Sequence, residues 1–278
     1  MVPSALVNQA LKTLLERAYQ DFHTRYHRAN DPISLVHDYS EPGDQEVVAF
    51  FCALLAYGNV KSILSSCRRV LKALGPSPRL HLLEGGHLDG LNGFYHRFTT
   101  ADDLFILAHW ITQALRSHGS LEDFFYGDGT LRKAPMKSRL SEFVQRLTSQ
   151  SLPPGLLARK QKRARNLRYL ISDPSRGSAC KRLNMFLRWV VRPSDGIDLG
   201  IWRRLHTQEL MLPIDTHLLQ TLRALRWVQS KQATWRVVEI ATEKLRQLSP
   251  DDPIRYDFAL CHLSMSGNNI KRYKIIHV

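Results

Sequence analysis

Apolar residues recur at three- and four-residue steps along most of the chain. Leu6, Val7, Ala10, Leu11, Leu14, Leu15, Ala18 and Phe22 form the first such series, with Lys12, Glu16 and Arg17 on the other face, so the spacing predicts an amphipathic packing helix. Asp44–Leu55 is almost wholly apolar, which predicts a helix buried on every side; Tyr57-Gly58-Asn59 interrupts it, and helical spacing resumes over Val60–Leu74 until Gly75-Pro76-Ser77-Pro78 stops it. Ala101–Ser117 and Lys137–Thr148 read as further helices, with Gly127-Asp128-Gly129 as a turn between them and Leu152-Pro153-Pro154-Gly155 as a loop after them. The pattern continues with Leu156–Ile171, a break over Ser172–Gly177, Ser178–Arg192, a short piece at Leu199–Leu205, then Thr216–Trp227, Thr234–Leu248 and Pro253–Ser264. No stretch alternates long enough to read as a strand and no segment repeats, so the chain reads as all-α.

At 278 residues and 44% hydrophobic content the chain can bury one large core or two smaller ones. Its net charge of +14, from 39 Lys and Arg against 25 Asp and Glu, favours an anionic partner, nucleic acid ahead of an acidic membrane surface. Much of that surplus is local: Arg159 to Arg192 holds eleven Lys and Arg against the single acid Asp173. Cys52, Cys67, Cys180 and Cys261 form no C-x-x-C pair, which argues against a zinc ribbon or an iron–sulfur cluster and suits a reduced interior. Val47–Tyr57, the longest apolar run, is too short to span a bilayer, and the N-terminus shows helical spacing rather than a signal-peptide core, so the expectation is a cytoplasmic protein without a membrane partner. Patterns for dinucleotide binding, P-loop chemistry and zinc proteolysis are missing from the sequence.

The basic run centres on Arg159-Lys160-Gln161-Lys162-Arg163, followed by the break Asp173-Pro174-Ser175-Arg176-Gly177. A short Pro- and Gly-containing turn between helices can point backbone N–H groups outward, where they hold a phosphate together with Lys and Arg. The same run also suits a solvated helix face; the local charge excess favours nucleic acid. Ser178 suits an N-cap for the next helix, whose buried stripe is Leu183, Phe186, Leu187 and Val190. Lys181 lies off that stripe in the first turn, where the partly positive helix end, Arg176 and Arg182 disfavour its charge. It reads either as a phosphate contact or, if also desolvated, as a neutral amine able to attack carbon. Downstream, Leu212-Pro213-Ile214-Asp215-Thr216-His217 introduces another helix with Asp215 as its N-cap, a place where a carboxylate is both held ionised and aimed.

The stretch from Asp173 to Leu183, with Leu-Pro-Ile-Asp215-Thr-His after it, resembles the hairpin lysine and helix-capping aspartate of the helix-hairpin-helix DNA glycosylase superfamily. The long Lys-to-Asp interval and Lys-Arg-Leu-Asn-Met-Phe-Leu-Arg-Trp-Val-Val-Arg are most similar to the archaeal 8-oxoguanine glycosylase branch. The whole chain also resembles an uncharacterised bacterial family that shares Ser-Ala-Cys-Lys-Arg-Leu-Asn-Met-Phe-Leu-Arg-Trp and Asp-Pro-x-x-Tyr-Asp-Phe-Ala-Leu. The resemblance implies a two-lobed helical monomer with a cleft between lobes: one lobe over about 45–150, a hairpin lobe over about 156–230, and residues 1–40 packed with 231–278. It further implies a cofactor-free enzyme acting on damaged double-stranded DNA, nucleoid-associated if bacterial. Lys181 would be the nucleophile that attacks C1′ of a flipped nucleotide, with Asp215 as its partner and 8-oxoguanine as the base released. Arg176, Gly177, Ser178, Arg182, Lys160, Lys162 and Arg163 would meet phosphates, and Tyr57 and Asn59 would fill the hole left by the flipped base. The hairpin departs from the superfamily in lacking a glycine-rich Leu-Pro-Gly-Val-Gly form.

On the residues alone, Tyr57 equally suits a core aromatic and Asn59 an N-cap, Lys181 suits a phosphate contact or a surface residue better than a nucleophile, and the rival reading is a binding module without chemistry in which Lys181 serves phosphate and Asp215 serves only as a cap. RNA is a third possible partner. His23 and His27, one turn apart, have no third ligand and read as surface histidines; Cys180 reads as a small packing residue, and Asp257 as a helix-starting residue without a catalytic role.

Overall fold

The computed structural model describes residues 4–265. Among them the helices are α1 (Ser4–Phe22), α2 (Arg25–Arg28), α3 (Pro42–Leu55), α4 (Val60–Leu74), α5 (Pro78–Leu83), α6 (Ala101–His118), α7 (Leu121–Tyr126), α8 (Met136–Ser149), α9 (Pro154–Leu170), α10 (Lys181–Val191), α11 (Thr216–Ala224), α12 (Trp235–Arg246) and α13 (Asp257–Met265). A two-stranded antiparallel hairpin, β1 (Tyr95–His96) and β2 (Thr99–Thr100), is the only sheet among the described residues, so the protein is all-α. Expectations for residues 266–278, and for the side chains of His27 and His262, fall outside what is described.

The chain divides into two compact units. A central unit runs Asn30–Arg176, and a terminal unit joins the residues up to Ala29 with those from Gly177 onward. This division differs from a hairpin lobe beginning near 156: α9 packs along α6 and so belongs to the central unit. The N-terminal helix α1 packs on α13, and Glu16 accepts the Tyr256 hydroxyl at 2.5 Å and pairs with Arg255 at 3.2 Å.

In the central unit α3 is buried on all sides from Val47 to Leu55, as its unbroken apolar run requires. Two acids in its first turns are buried as well and find helix starts as partners. Glu46 accepts the N–H groups of Leu121 and Glu122 at 2.9 and 3.0 Å at the head of α7, and Asp44 accepts that of Arg79 at 2.7 Å in α5. Each carboxylate thereby satisfies orphan donors and meets the positive end of a helix dipole.

In the terminal unit α10 is buried around its whole circumference from Arg182 to Val191, a wider contact than the expected single stripe. The chain after it folds back on its end, with Leu199 N–H bonding Trp189 O and Trp202 N–H bonding Val190 O, both at 2.8 Å. The expected short piece at Leu199–Leu205 is therefore irregular chain pinned by these bonds and by Trp202 against Phe186 (5.4 Å, edge to face). Likewise Pro253–Tyr256 is a turn, and α13 starts only at Asp257.

Candidate functional site around Lys181 and Asp215

Lys181 is the first residue of α10 and is half-buried. Its N-cap is Cys180 rather than Ser178, and Cys180 holds a left-handed backbone (φ 47°) that few non-glycine residues adopt. The surroundings over-determine that turn. Ser178 Oγ accepts the Cys180 N–H at 3.2 Å, Asn184 Nδ2 donates to Ala179 O at 3.1 Å, and Asn184 N–H donates to Cys180 O at 3.0 Å. Behind it, Trp235 N–H bonds Gly177 O at 3.0 Å, and Ser178 bridges Thr234 at the start of α12. Lys181 thus leaves a rigid corner.

The turn before it is built differently from the expected phosphate grip. Asp173 accepts Ser141 Oγ at 2.7 Å and Ser175 N–H at 2.8 Å, and Arg176 N–H returns to Asp173 O at 3.2 Å. Burial pushes the Asp173 carboxyl up, but the bonds from Ser141 and Ser175 prevail and hold it below the usual carboxylate range. The N–H groups of Ser175, Arg176 and Cys180 are therefore turned inward onto side chains and turn carbonyls. Gly177 and the Arg176 side chain are exposed, Ser178 is half-buried, and Arg182 is only 8% exposed, which leaves it little surface to offer a phosphate.

Asp215 is the N-cap of α11, half-buried, and accepts Leu218 N–H at 2.7 Å. Its neighbour Asp257, to which the sequence assigned only a helix start, is buried at the head of α13 and accepts Arg188 Nη1 at 2.6 Å. Burial pushes the Asp257 carboxyl up, Arg188 pulls it down, and the negative charges of Asp215 and Asp198 push it up again, leaving it raised to about 6. Arg188 also pairs with the fully buried Asp198 at 3.2 Å, and Arg192 joins Asp198, Asp252 (2.9 Å) and Asp195 (3.4 Å). His23 closes the network by meeting Asp195 at 2.7 Å; its side chain is buried, unlike that of a surface histidine. Burial pushes the Asp195 carboxyl up, but His23, Arg192 and the Ile197 N–H hold it far below the usual range. No sequence signal marks this network, because Arg188 lies in α10 and Arg192 caps its C-terminal end while their acids come from three later segments.

In the central unit, the helical period splits the basic run of α9 into two faces. Arg159, Lys160 and Arg163 face α6: Arg159 pairs with Asp102 at 2.7 Å, Lys160 donates to Thr148 O at 2.7 Å and lies over the Trp110 ring, and Arg163 grips the fully buried Asp103 at 2.6 Å. Lys160 and Arg163, expected on phosphates, are thus occupied by the fold, since a carboxylate buried as deeply as Asp103 needs a cation. Lys162, Arg165 and Arg168 remain exposed on the other face. Asn59 is the N-cap of α4, accepting Lys61 N–H at 2.9 Å, and is exposed. Tyr57 is half-buried, its hydroxyl donating to His96 O (2.8 Å) with Thr99 Oγ1 at 2.7 Å, so it stands between the two roles its sequence position suited.

Fold and site together define an all-helical protein with a half-buried lysine and a capping aspartate on the heads of two helices of one unit. By sequence the chain belongs to the family described as "Protein of unknown function (DUF2400)", which matches residues 31–266. Comparison with curated proteins and with solved structures gave no match. No described helix is long and apolar enough to cross a membrane.

Proposed function

We propose that this protein is a DNA-repair glycosylase with strand-lyase activity, of the helix-hairpin-helix type, acting on an oxidised purine such as 8-oxoguanine. The observation that carries the reading is that one unit holds both Lys181, on a rigid corner at the head of α10, and Asp215, fixed at the head of α11. In the reaction, the Lys181 amine, once it has given up a proton, attacks C1′, the C1′–N9 bond breaks, and the base leaves with that electron pair and a proton. Opening of the sugar ring yields a protonated Schiff base; loss of a C2′ proton then expels the 3′ phosphate, and water releases the strand. Asp215 handles the protons and faces the cationic intermediate. Asp257, raised to about 6 in part by the charge of Asp215, is a second acid whose charge changes near that pH.

Borohydride reduction on duplexes carrying an abasic site or 8-oxoguanine tests this directly. The expected result is a covalent protein–DNA adduct that disappears in Lys181→Ala. A second reading, a nucleic-acid-binding protein without chemistry, is favoured by the exposed Lys162, Arg165, Arg168 and Arg176, which need no reactive amine. Salt-sensitive binding without any adduct would establish that reading, and tighter binding to RNA than to damaged duplex would move the substrate to RNA.

A further inference from the structure

Among the described residues, large apolar side chains exposed to solvent are few, and two of them touch each other in the central unit: Phe98 (49% exposed) and Tyr169 (45%), with ring centroids 5.3 Å apart at 76°. Tyr57 completes the cluster, 5.5 Å from Tyr169 at 85° and 6.4 Å from Phe98 with nearly parallel planes. Tyr95, on the adjoining strand, is 71% exposed. Such a cluster would ordinarily turn inward, yet the surrounding bonds hold it out. The Phe98 carbonyl accepts Arg163 Nη2 at 2.6 Å and Asn166 Nδ2 at 2.8 Å, tying the tip of the β-hairpin to α9. On β1, His96 is buried with Nε2 near Leu55 O (3.0 Å) and Ser66 Oγ at Nδ1 (3.0 Å).

The tip itself is Arg97-Phe98, with Arg97 at φ 54°, a position in a two-residue hairpin turn that usually falls to glycine. Arg97 lies over the Phe98 ring at 5.7 Å and across Gly58, where an added Cβ would meet its Cδ at 2.9 Å. Glycine in Tyr57-Gly58-Asn59 thus makes room for a cation beside the rings. Arg165 and Arg168 are exposed one turn and one residue before Tyr169, whereas the nearby acids Asp102 and Asp103 are paired with Arg159 and Arg163. The face is aromatic and cationic, and it is rigid before anything binds.

We infer that Phe98 and Tyr169 form a stacking platform for an unpaired base of a nucleic-acid strand, whose phosphates meet Arg97, Arg165 and Arg168. A π-faced anion matches both properties of the surface, whereas a duplex keeps its bases stacked and presents only phosphate. The inference rests on the reading that the protein binds nucleic acid, and is independent of any chemistry at Lys181.

The test is fluorescence anisotropy of the full chain with a labelled single-stranded oligonucleotide and with the matching duplex at one salt concentration. Phe98→Ala and Tyr169→Ala are each expected to lower single-strand affinity about tenfold, the size of one base–aromatic stack, with duplex affinity and Tm unchanged. Phe98→Trp is expected to keep single-strand affinity, and Phe98→Leu, with similar bulk but no π face, to lose it. Unchanged single-strand affinity in the alanine variants, an equal fall on both substrates, or wild-type behaviour of Phe98→Leu would each overturn the platform while leaving the glycosylase reading in place. Reduced self-association in Phe98→Ala with nucleic-acid affinity intact would assign the patch to a protein contact and overturn it too. A wild-type protein that binds neither substrate overturns both readings; the expected stacking losses without a borohydride adduct overturn only the glycosylase.

Discussion

Helices α9 and α10 carry the same kind of charge to opposite ends. Arg188 on α10 and Arg192, which caps its C-terminal end, are almost wholly buried and each is shared among aspartates. On α9, Lys162, Arg165 and Arg168 stand in solvent, and only the face towards α6 is paired. A count of positive residues treats the two helices alike, but only solvated cations create an external field and exchange counterions with a phosphate backbone. The surplus that pointed to nucleic acid is therefore smaller on the surface than in the sequence.

The largest effect expected from this contrast is Arg188→Ala, which strands the buried Asp257 without its arginine, leaves Asp198 to Arg192 alone, and costs about 3–5 kcal/mol by urea unfolding. A cost near zero would mean that the two acids are solvated after all. Within α9, Arg163→Ala leaves the fully buried Asp103 unpaired and is expected to cost about 2 kcal/mol, whereas Arg165→Ala is expected to change stability by less than about 0.5 kcal/mol. Equal costs would erase the distinction between the two faces.

Next in size is a pH effect at Asp257, whose carboxyl is raised to about 6 in the fold. The native state then holds this proton more tightly than the unfolded chain, so the contribution is fully present below the ordinary carboxylate pKa and fades as pH rises through about 6. Relative to Asp257→Asn, wild-type stability should fall by about 1 kcal/mol between about pH 5 and pH 7.5, as read from urea midpoints. A parallel pair of curves would place the titration elsewhere. The smallest structural effect belongs to Arg168→Ala: an unchanged Tm, with the slope of log affinity against log salt for duplex DNA reduced by about one phosphate contact. For turnover, Asp215→Asn is expected to leave DNA affinity intact and abolish strand cleavage; loss of folding instead would mean that its bond to Leu218 N–H is its main role.

Several elements were legible residue by residue. Asn59 and Asp215 cap α4 and α11 as their residue types and positions suggest, and the apolar run before Tyr57 is a helix buried on all sides. The short helix α7 and the β-hairpin at 95–100 were not, because partners distant in sequence help to hold them: Glu46 for α7, Arg163 and Asn166 for the hairpin tip; nor was the left-handed Cys180, a conformation that a non-glycine residue type does not announce. Asp257 reads as an ordinary helix-starting acid until its burial beside Asp215 and Arg188 is seen.

By itself the sequence determined the helical class, most of the helix starts, and the placing of Lys181 and Asp215 at the heads of two of them, since period, capping and breaking are local properties of the backbone. Which cations face solvent, which acids are buried, and where aromatic rings are held outward were decided only by tertiary packing, because charge and exposure depend on what each side chain meets across the fold. Arg163 and Arg165 differ by two positions on one helix, yet one is tied to a buried carboxylate and the other faces water.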